Sequence, residues 1–192
     1  MSNEDERGFV FKVTVIGDGA VGKTSLIKKY TKGEFNEDYI MTMGAQFTKT
    51  DVLVQGNPIE LVFWDIAGQE SFAQLRAGFY RGSRACIIVF SHEDNDHGNN
   101  SFNNISKWLT DIKKHCGFIP IILFGNKIDL VNDIDKLVMN KDYPKSNYNV
   151  DKMMKGWNFL GYYLTSALTG DGVKQAFTIL SEKLFSIYRV FA

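Results

Sequence analysis

The nine residues Gly17-Asp18-Gly19-Ala20-Val21-Gly22-Lys23-Thr24-Ser25 decide how the rest of this chain is read. Before them, Phe9 to Ile16 is nearly all apolar apart from Lys12 and Thr14 and reads as a strand; after them, Leu26, Ile27 and Tyr30 recur at helical spacing up to Gly33. A Gly-x4-Gly-Lys-Thr loop between a strand and a helix is a phosphate-binding arrangement. Glycines let the backbone curl until successive N–H groups point inward at anionic oxygens. The Lys23 ammonium adds a cation, the Thr24 hydroxyl is placed to ligate Mg²⁺, and the helix presents its N-terminus to the same anion. All of Asp18 to Ser25 is therefore expected to line a nucleotide.

Working outward, residues 34–44 have no periodicity and read as a loop. Gln46 to Gln55 is a polar-rich strand suited to a sheet edge. The turn Gln55-Gly56-Asn57-Pro58 then leads into Ile59, Leu61 and Phe63 alternating with Glu60, Val62 and Trp64, which predicts an antiparallel hairpin. Ala85–Phe90 and Ile119–Phe124 are unbroken apolar runs, as expected of parallel strands covered on both faces. Between them Phe102, Ile105, Trp108, Leu109 and Ile112 predict a helix, while His92 to Asn100 reads as a solvated polar loop and not as a metal site. A short strand over Tyr162–Thr165 precedes a final helix with the stripe Val173, Ala176, Phe177, Leu180, Leu184 and Ile187. Strands alternating with helices make this an α/β chain with a mostly parallel sheet.

Asn126-Lys127-Ile128-Asp129 follows the apolar run 119–124 and names the base. A carboxylate at Asp129 can accept from guanine N1–H and the 2-amino group; adenine has neither proton and would leave it unpaired. Sites built on such bonds reject the wrong ligand by ~10⁴-fold or more. Asn126 can bond the base edge and tie this loop to the phosphate loop, with the Lys127 stem over the ring.

Composition agrees. The 192 residues are 44% hydrophobic, and 22 Lys+Arg balance 22 Asp+Glu, so no net charge draws the chain to nucleic acid or to an acidic membrane. Cys86 and Cys116 do not make a disulfide framework, and no apolar run reaches the ~18 residues of a membrane span. A reduced, cytoplasmic setting is expected. Residues 1–8 read as an acidic extension and 9–192 as one domain, with a polar surface insertion near 131–149.

With these motifs in place, the chain resembles a small GTPase of the Ras superfamily, closest to the Rab branch, from Phe11 to about Leu184. Thr42-Met43-Gly44, Trp64-Asp65-Ile66-Ala67-Gly68-Gln69-Glu70, Phe79-Tyr80-Arg81-Gly82 and Thr165-Ser166-Ala167 complete the match. The resemblance implies a single P-loop GTPase domain with a six-stranded, mostly parallel sheet, one antiparallel edge strand and helices on both faces. It implies GTP/GDP and Mg²⁺ as ligands, with Thr24, Thr42 and Asp65 around the metal. Lys23, Thr42 and Gln69 would serve catalysis, Gln69 by orienting water, and the Gly68 N–H would reach the γ-phosphate. Phe35 would stack on guanine and Tyr39 fold over the phosphates. The Ala167 N–H would donate to guanine O6, with Ser166 and Leu168 beside it.

The chain also departs from the pattern. Ile66 stands where Thr is usual, and Leu168 replaces a Lys that contacts base or ribose. Neither a C-terminal cysteine nor a Gly at position 2 offers a lipid site. Gly33–Thr42 contains no arginine to serve as an internal finger, so slow hydrolysis is expected, on the order of 10⁻⁴ to 10⁻² s⁻¹. The resemblance implies a monomeric switch in vesicle trafficking or related signalling. An exchange factor, a GTPase-activating protein and effectors would act on its two switch loops and on Phe47, Trp64 and Phe79. Two readings compete with that. Ile66 and Leu168 suit a nucleotide-holding scaffold that does not switch, though Gln69 and Thr42 oppose it, and the three aromatics could be simple core residues. An ATP-dependent phosphotransferase fails on Asp129.

Overall fold

The structure, a computed structural model, describes residues 8–35 and 41–191. Six strands form one sheet in the order β2-β3-β1-β4-β5-β6. They are β1 (Phe9–Ile16), β2 (Ala45–Val54), β3 (Asn57–Ile66), β4 (Ala85–Ser91), β5 (Ile121–Asn126) and β6 (Phe159–Leu164). Only β2 runs antiparallel, paired with β3 so that Val54 faces Asn57 across a turn at Gln55–Gly56. β1 lies in register with β3 on one side and β4 on the other, and β4–β5–β6 continue in parallel.

Burial along β3 alternates: Ile59, Leu61 and Phe63 are buried while Glu60, Val62 and Trp64 are half-exposed. This is the period-two signature of a strand covered by helices on one face. β4 and β5 are buried at every position, which is why they read as continuous apolar runs.

Helices α1 (Lys23–Lys32) and α7 (Val173–Tyr188) cover one face of the sheet. Phe177 of α7 is the hub of that core, stacked on Tyr30 at 4.3 Å and edge-on to Phe63 and Phe124, both at 5.2 Å. The opposite face carries α2 (Ala73–Tyr80), α3 (Asp96–Asn103), α4 (Ile105–Cys116) and α6 (Asn147–Met153), with α5 (Asp135–Met139) in the preceding connection. Ile105, Trp108, Leu109 and Ile112 form the buried stripe of α4 against Cys86, Ile88 and Phe90.

Three sequence expectations change. The supposed solvated loop His92–Asn100 contains a buried residue, His92, and most of α3, whose first turn is capped by the Asn95 side chain accepting from the Gly98 N–H at 2.8 Å. The helix was hidden because its only large apolar residue is Phe102. β6 begins three residues before Tyr162, its start masked in the sequence by Gly161. The polar stretch 131–149 is exposed over much of its length, yet it buries Leu137, Lys145 and Ser146. Lys145 tolerates this because its ammonium donates to the carbonyls of Glu93 at 2.9 Å and Ser91 at 3.3 Å.

Candidate nucleotide site

The C-terminal ends of β1, β3, β5 and β6 converge on one cleft of about 420 Å³, the position at which open α/β sheets bind ligands. Its lining runs from Gly19, Ala20, Gly22, Lys23, Thr24 and Ser25 at one end to Asn126, Lys127, Asp129, Ala167 and Leu168 at the other. Phe35, Thr42, Ala67, Gly68 and Gln69 complete the lining, together with Lys28, which lies outside the motifs.

At the first end, Gly22 caps α1 with φ of +98°, and a Cβ there would stand 2.3 Å from Asn126 Nδ2. Only glycine allows that approach. The Lys23 ammonium is buried and donates to the carbonyls of Gly17 at 2.8 Å and Asp18 at 2.7 Å. Burial pulls its pKa down to about 8, against the opposing charges of Asp65 and Asp18. A buried cation held only by carbonyls is poised for an anion.

Beside it, the Thr24 hydroxyl donates to Asp65 Oδ2 and lies 3.0 Å from the Thr42 hydroxyl. Burial raises the Asp65 pKa, offset by the Thr24 bond and the Lys23 charge, and Oδ1 is buried with no partner among the described residues. Two hydroxyls and an incompletely satisfied carboxylate make an all-oxygen donor set that fits a hard divalent cation such as Mg²⁺.

At the other end Asn126 works as a knot. Its Nδ2 donates to the Val21 carbonyl at 2.9 Å, and its Oδ1 accepts from the Ala167 N–H at 3.2 Å and the Thr165 hydroxyl at 3.3 Å. The loops after β1, β5 and β6 are thereby joined. The Ser166 hydroxyl donates to Asp129 Oδ1 at 2.5 Å, orienting the carboxylate along the cleft wall. Lys127, in left-handed conformation, lays its stem along the same wall and pairs with Glu93 at 2.7 Å.

Not every residue of the motifs faces the cleft. The Asp18 carboxylate turns away to accept from Trp108 Nε1 and Asn104 Nδ2, both at 2.7 Å. The Val21 side chain belongs to the core, and Ser166 is fully buried behind Asp129. Leu168 is half-exposed on the rim, its carbonyl accepting from Lys29 at 3.2 Å. Tyr39 lies outside the described residues. Arg76 was missed by the sequence: it is 3% exposed and donates to the carbonyls of Gln69 at 2.9 Å and Gly68 at 3.3 Å. A lone arginine in a short amphipathic segment gives no local sign of that.

Outside the cleft, Phe47, Trp64 and Phe79 form a continuous aromatic surface, with ring centroids 5.6 and 6.2 Å apart. Phe47 is 69% exposed, so it is not a core residue, while Trp64 and Phe79 are half-buried. No helix among the described residues is long and apolar enough to cross a membrane.

The Ras family model matches residues 12–186. The GTP-binding protein RHO1 of Saccharomyces cerevisiae is 37% identical over 170 residues, covering 86% of this chain and 79% of its own. The Ras-related protein RABA5c of Arabidopsis thaliana is 31% identical over 189 residues, covering 97% of this chain and 82% of its own. The human Ras-related protein Rab-9A is 40% identical over 127 residues, covering 63% and 61%. With the phosphate loop, the Asn126 knot and the β2-β3-β1-β4-β5-β6 sheet, the match over residues 12–186 shows that the chain belongs to the Ras family, as a Rab-like small GTPase of the Ras superfamily.

Proposed function

We propose that this GTP-binding switch holds GTP or GDP together with Mg²⁺ in the cleft and hydrolyses GTP slowly. What carries the reading is one cleft with a buried ammonium at Lys23 near one end and an oriented carboxylate at Asp129 near the other. The first suits phosphates, the second a base with donors on its edge. Thr24, Thr42 and Asp65 would hold the ion, which when bound neutralises charge on the phosphate oxygens.

In hydrolysis, a water oxygen bonds to the γ-phosphorus as the bond to the β–γ bridging oxygen breaks, giving GDP and inorganic phosphate. Lys23 and the loop N–H groups stabilise the charge that develops. Gln69 Oε1 is buried without a partner among the described residues, an acceptor available to orient the attacking water. The Gly68 N–H serves the γ-phosphate and Phe35 and Lys127 flank the base, while the Ala167 N–H, which reaches Asn126 Oδ1 at 3.2 Å, is shared with guanine O6 when the base is bound. No cation from Gly33–Thr42 assists, so the unaided rate is slow, on the order of 10⁻⁴ to 10⁻² s⁻¹.

Exchange factor, activating protein and effectors act at the switch loops and the aromatic surface of Phe47, Trp64 and Phe79. The resemblance to Rab proteins supports a monomer in the cytoplasm, peripheral to membranes through its partners, in vesicle trafficking or related signalling. Competition titration tests the site: GTP and GDP displace a fluorescent guanine nucleotide, ATP does not, and Asp129→Ala removes the preference. Tighter ATP binding, or single-turnover hydrolysis above about 1 s⁻¹ without a partner protein, contradicts the reading. Ile66 and Leu168 motivate the rival reading, a non-switching scaffold, which Gln69 and Thr42 oppose; under that reading Gln69→Leu leaves the recovered nucleotide unchanged.

A further inference from the structure

His97 lies outside every motif of the nucleotide site, yet its Nε2 is 2.8 Å from the Gly19 carbonyl oxygen. A carbonyl only accepts, so the ring nitrogen donates. In a trans peptide the C=O and the following N–H point in opposite directions. A donor on the Gly19 oxygen therefore fixes the Gly19–Ala20 peptide and turns the Ala20 N–H the other way. Ala20 needs such an anchor. Its φ is +58°, the left-handed region, which costs a residue with a Cβ roughly 1 kcal/mol or more unless its surroundings impose it. Gly19 and Ala20 both line the cleft.

The ring is itself held. Its Nδ1 lies 3.1 Å from Glu93 Oε2, an oxygen that accepts from Lys127 Nζ at 2.7 Å and from the Ser91 hydroxyl at 2.8 Å. Burial would raise the Glu93 pKa, but these hydrogen bonds and the Lys127 charge bring it down to about 2. The loop is compact because Gly98 packs against the Glu93 carbonyl, where a Cβ would stand 2.0 Å from the oxygen. Lys145 donates to that carbonyl from beneath.

We propose that Glu93 and His97 are positioning residues that lock the phosphate loop in its binding conformation and couple it to the base-side Lys127. The proposal rests on the guanine-nucleotide reading of the cleft. When the His97 donor is lost, the Gly19–Ala20 peptide is free to turn, its N–H no longer aims at phosphate, and bound nucleotide leaves sooner.

Release of a fluorescent GDP analogue from the full chain tests this. His97→Ala should release it about five- to tenfold faster than wild type, the loss expected of one hydrogen bond of about 1 kcal/mol. His97→Gln carries its amide near the position of Nε2 and should restore release to within about twofold. A role confined to packing would not distinguish these two variants if their melting temperatures agree. Glu93→Gln keeps its acceptor oxygen but loses the charge, and should lie between them. An unchanged rate in His97→Ala, or a His97→Gln as fast as His97→Ala, overturns the proposal. If the wild type retains no guanine nucleotide, the reading of the cleft has failed. If it retains nucleotide and only the variants are indifferent, the positioning role alone has failed.

Discussion

The guanidinium of Arg76 donates to the carbonyl of Gln69 at 2.9 Å while lying 4.5 Å over the Trp108 ring. Trp108 in turn donates to Asp18 of the phosphate loop at 2.7 Å. The loop bearing Gln69 and the phosphate loop are thus braced against the same residue of α4. Arg76→Ala should slow single-turnover GTP hydrolysis by about tenfold or more, since small misplacements of reacting groups are costly. GDP affinity should change by less than about threefold, because Arg76 does not line the cleft. Unaltered hydrolysis in a folded variant would show that Gln69 is held by other means.

Phe47 and Trp64 face each other across the β2–β3 ladder, and Lys12 Nζ lies 3.7 Å over the indole. Trp64→Ala should weaken binding of a GTP-dependent partner by about 2 kcal/mol or more, as for an aromatic hot spot. GTP affinity should hold. Retained partner binding with a collapse in stability would assign the ring to packing.

Acid should destabilise the fold through His92. Its ring is buried against Tyr162, with Nδ1 unpartnered among the described residues. Burial, and secondarily the charge of Lys145, pushes its pKa down to about 3. The unfolded chain takes up this proton near pH 6.5, whereas the folded chain does so only near 3. The contribution is therefore intact above pH 6.5 and lost as pH falls through that window. His92→Leu should flatten the acid limb of denaturant-derived stability by up to about 1.4 kcal/mol per pH unit. An identical slope would contradict the assignment.

Hydrogen exchange should divide the segment 131–154. Amides over 131–142 should exchange far faster than those of β4 and β5. Those of α6, anchored by buried Val150 and Met154, should be protected. Uniform slow exchange throughout would show that the whole segment is built into the core.

What was legible in the sequence was local. The phosphate loop, the hairpin, the apolar runs of β4 and β5 and the stripes of α4 and α7 each announce themselves by spacing, because their side chains meet neighbours a fixed number of residues away. The contacts that finish the site are not of that kind. Asn104 reaches Asp18, His97 reaches Gly19, and Lys145 supports Glu93 across 52 positions. Polar residues serving distant carbonyl or carboxylate oxygens carry no periodicity, so His92–Asn100 read as solvated and 131–149 as purely external. Asn95 before Asp96 was the one local sign of α3, an N-cap ahead of an acidic first turn.

The most direct measurement is the identity and amount of nucleotide released when the purified protein is denatured. The cleft predicts GDP or GTP at close to stoichiometric amounts, with no adenine nucleotide. Adenine nucleotide at comparable amounts, or no nucleotide bound or taken up by a chain that is demonstrably folded, would contradict a guanine-nucleotide site built on Lys23, Asn126 and Asp129.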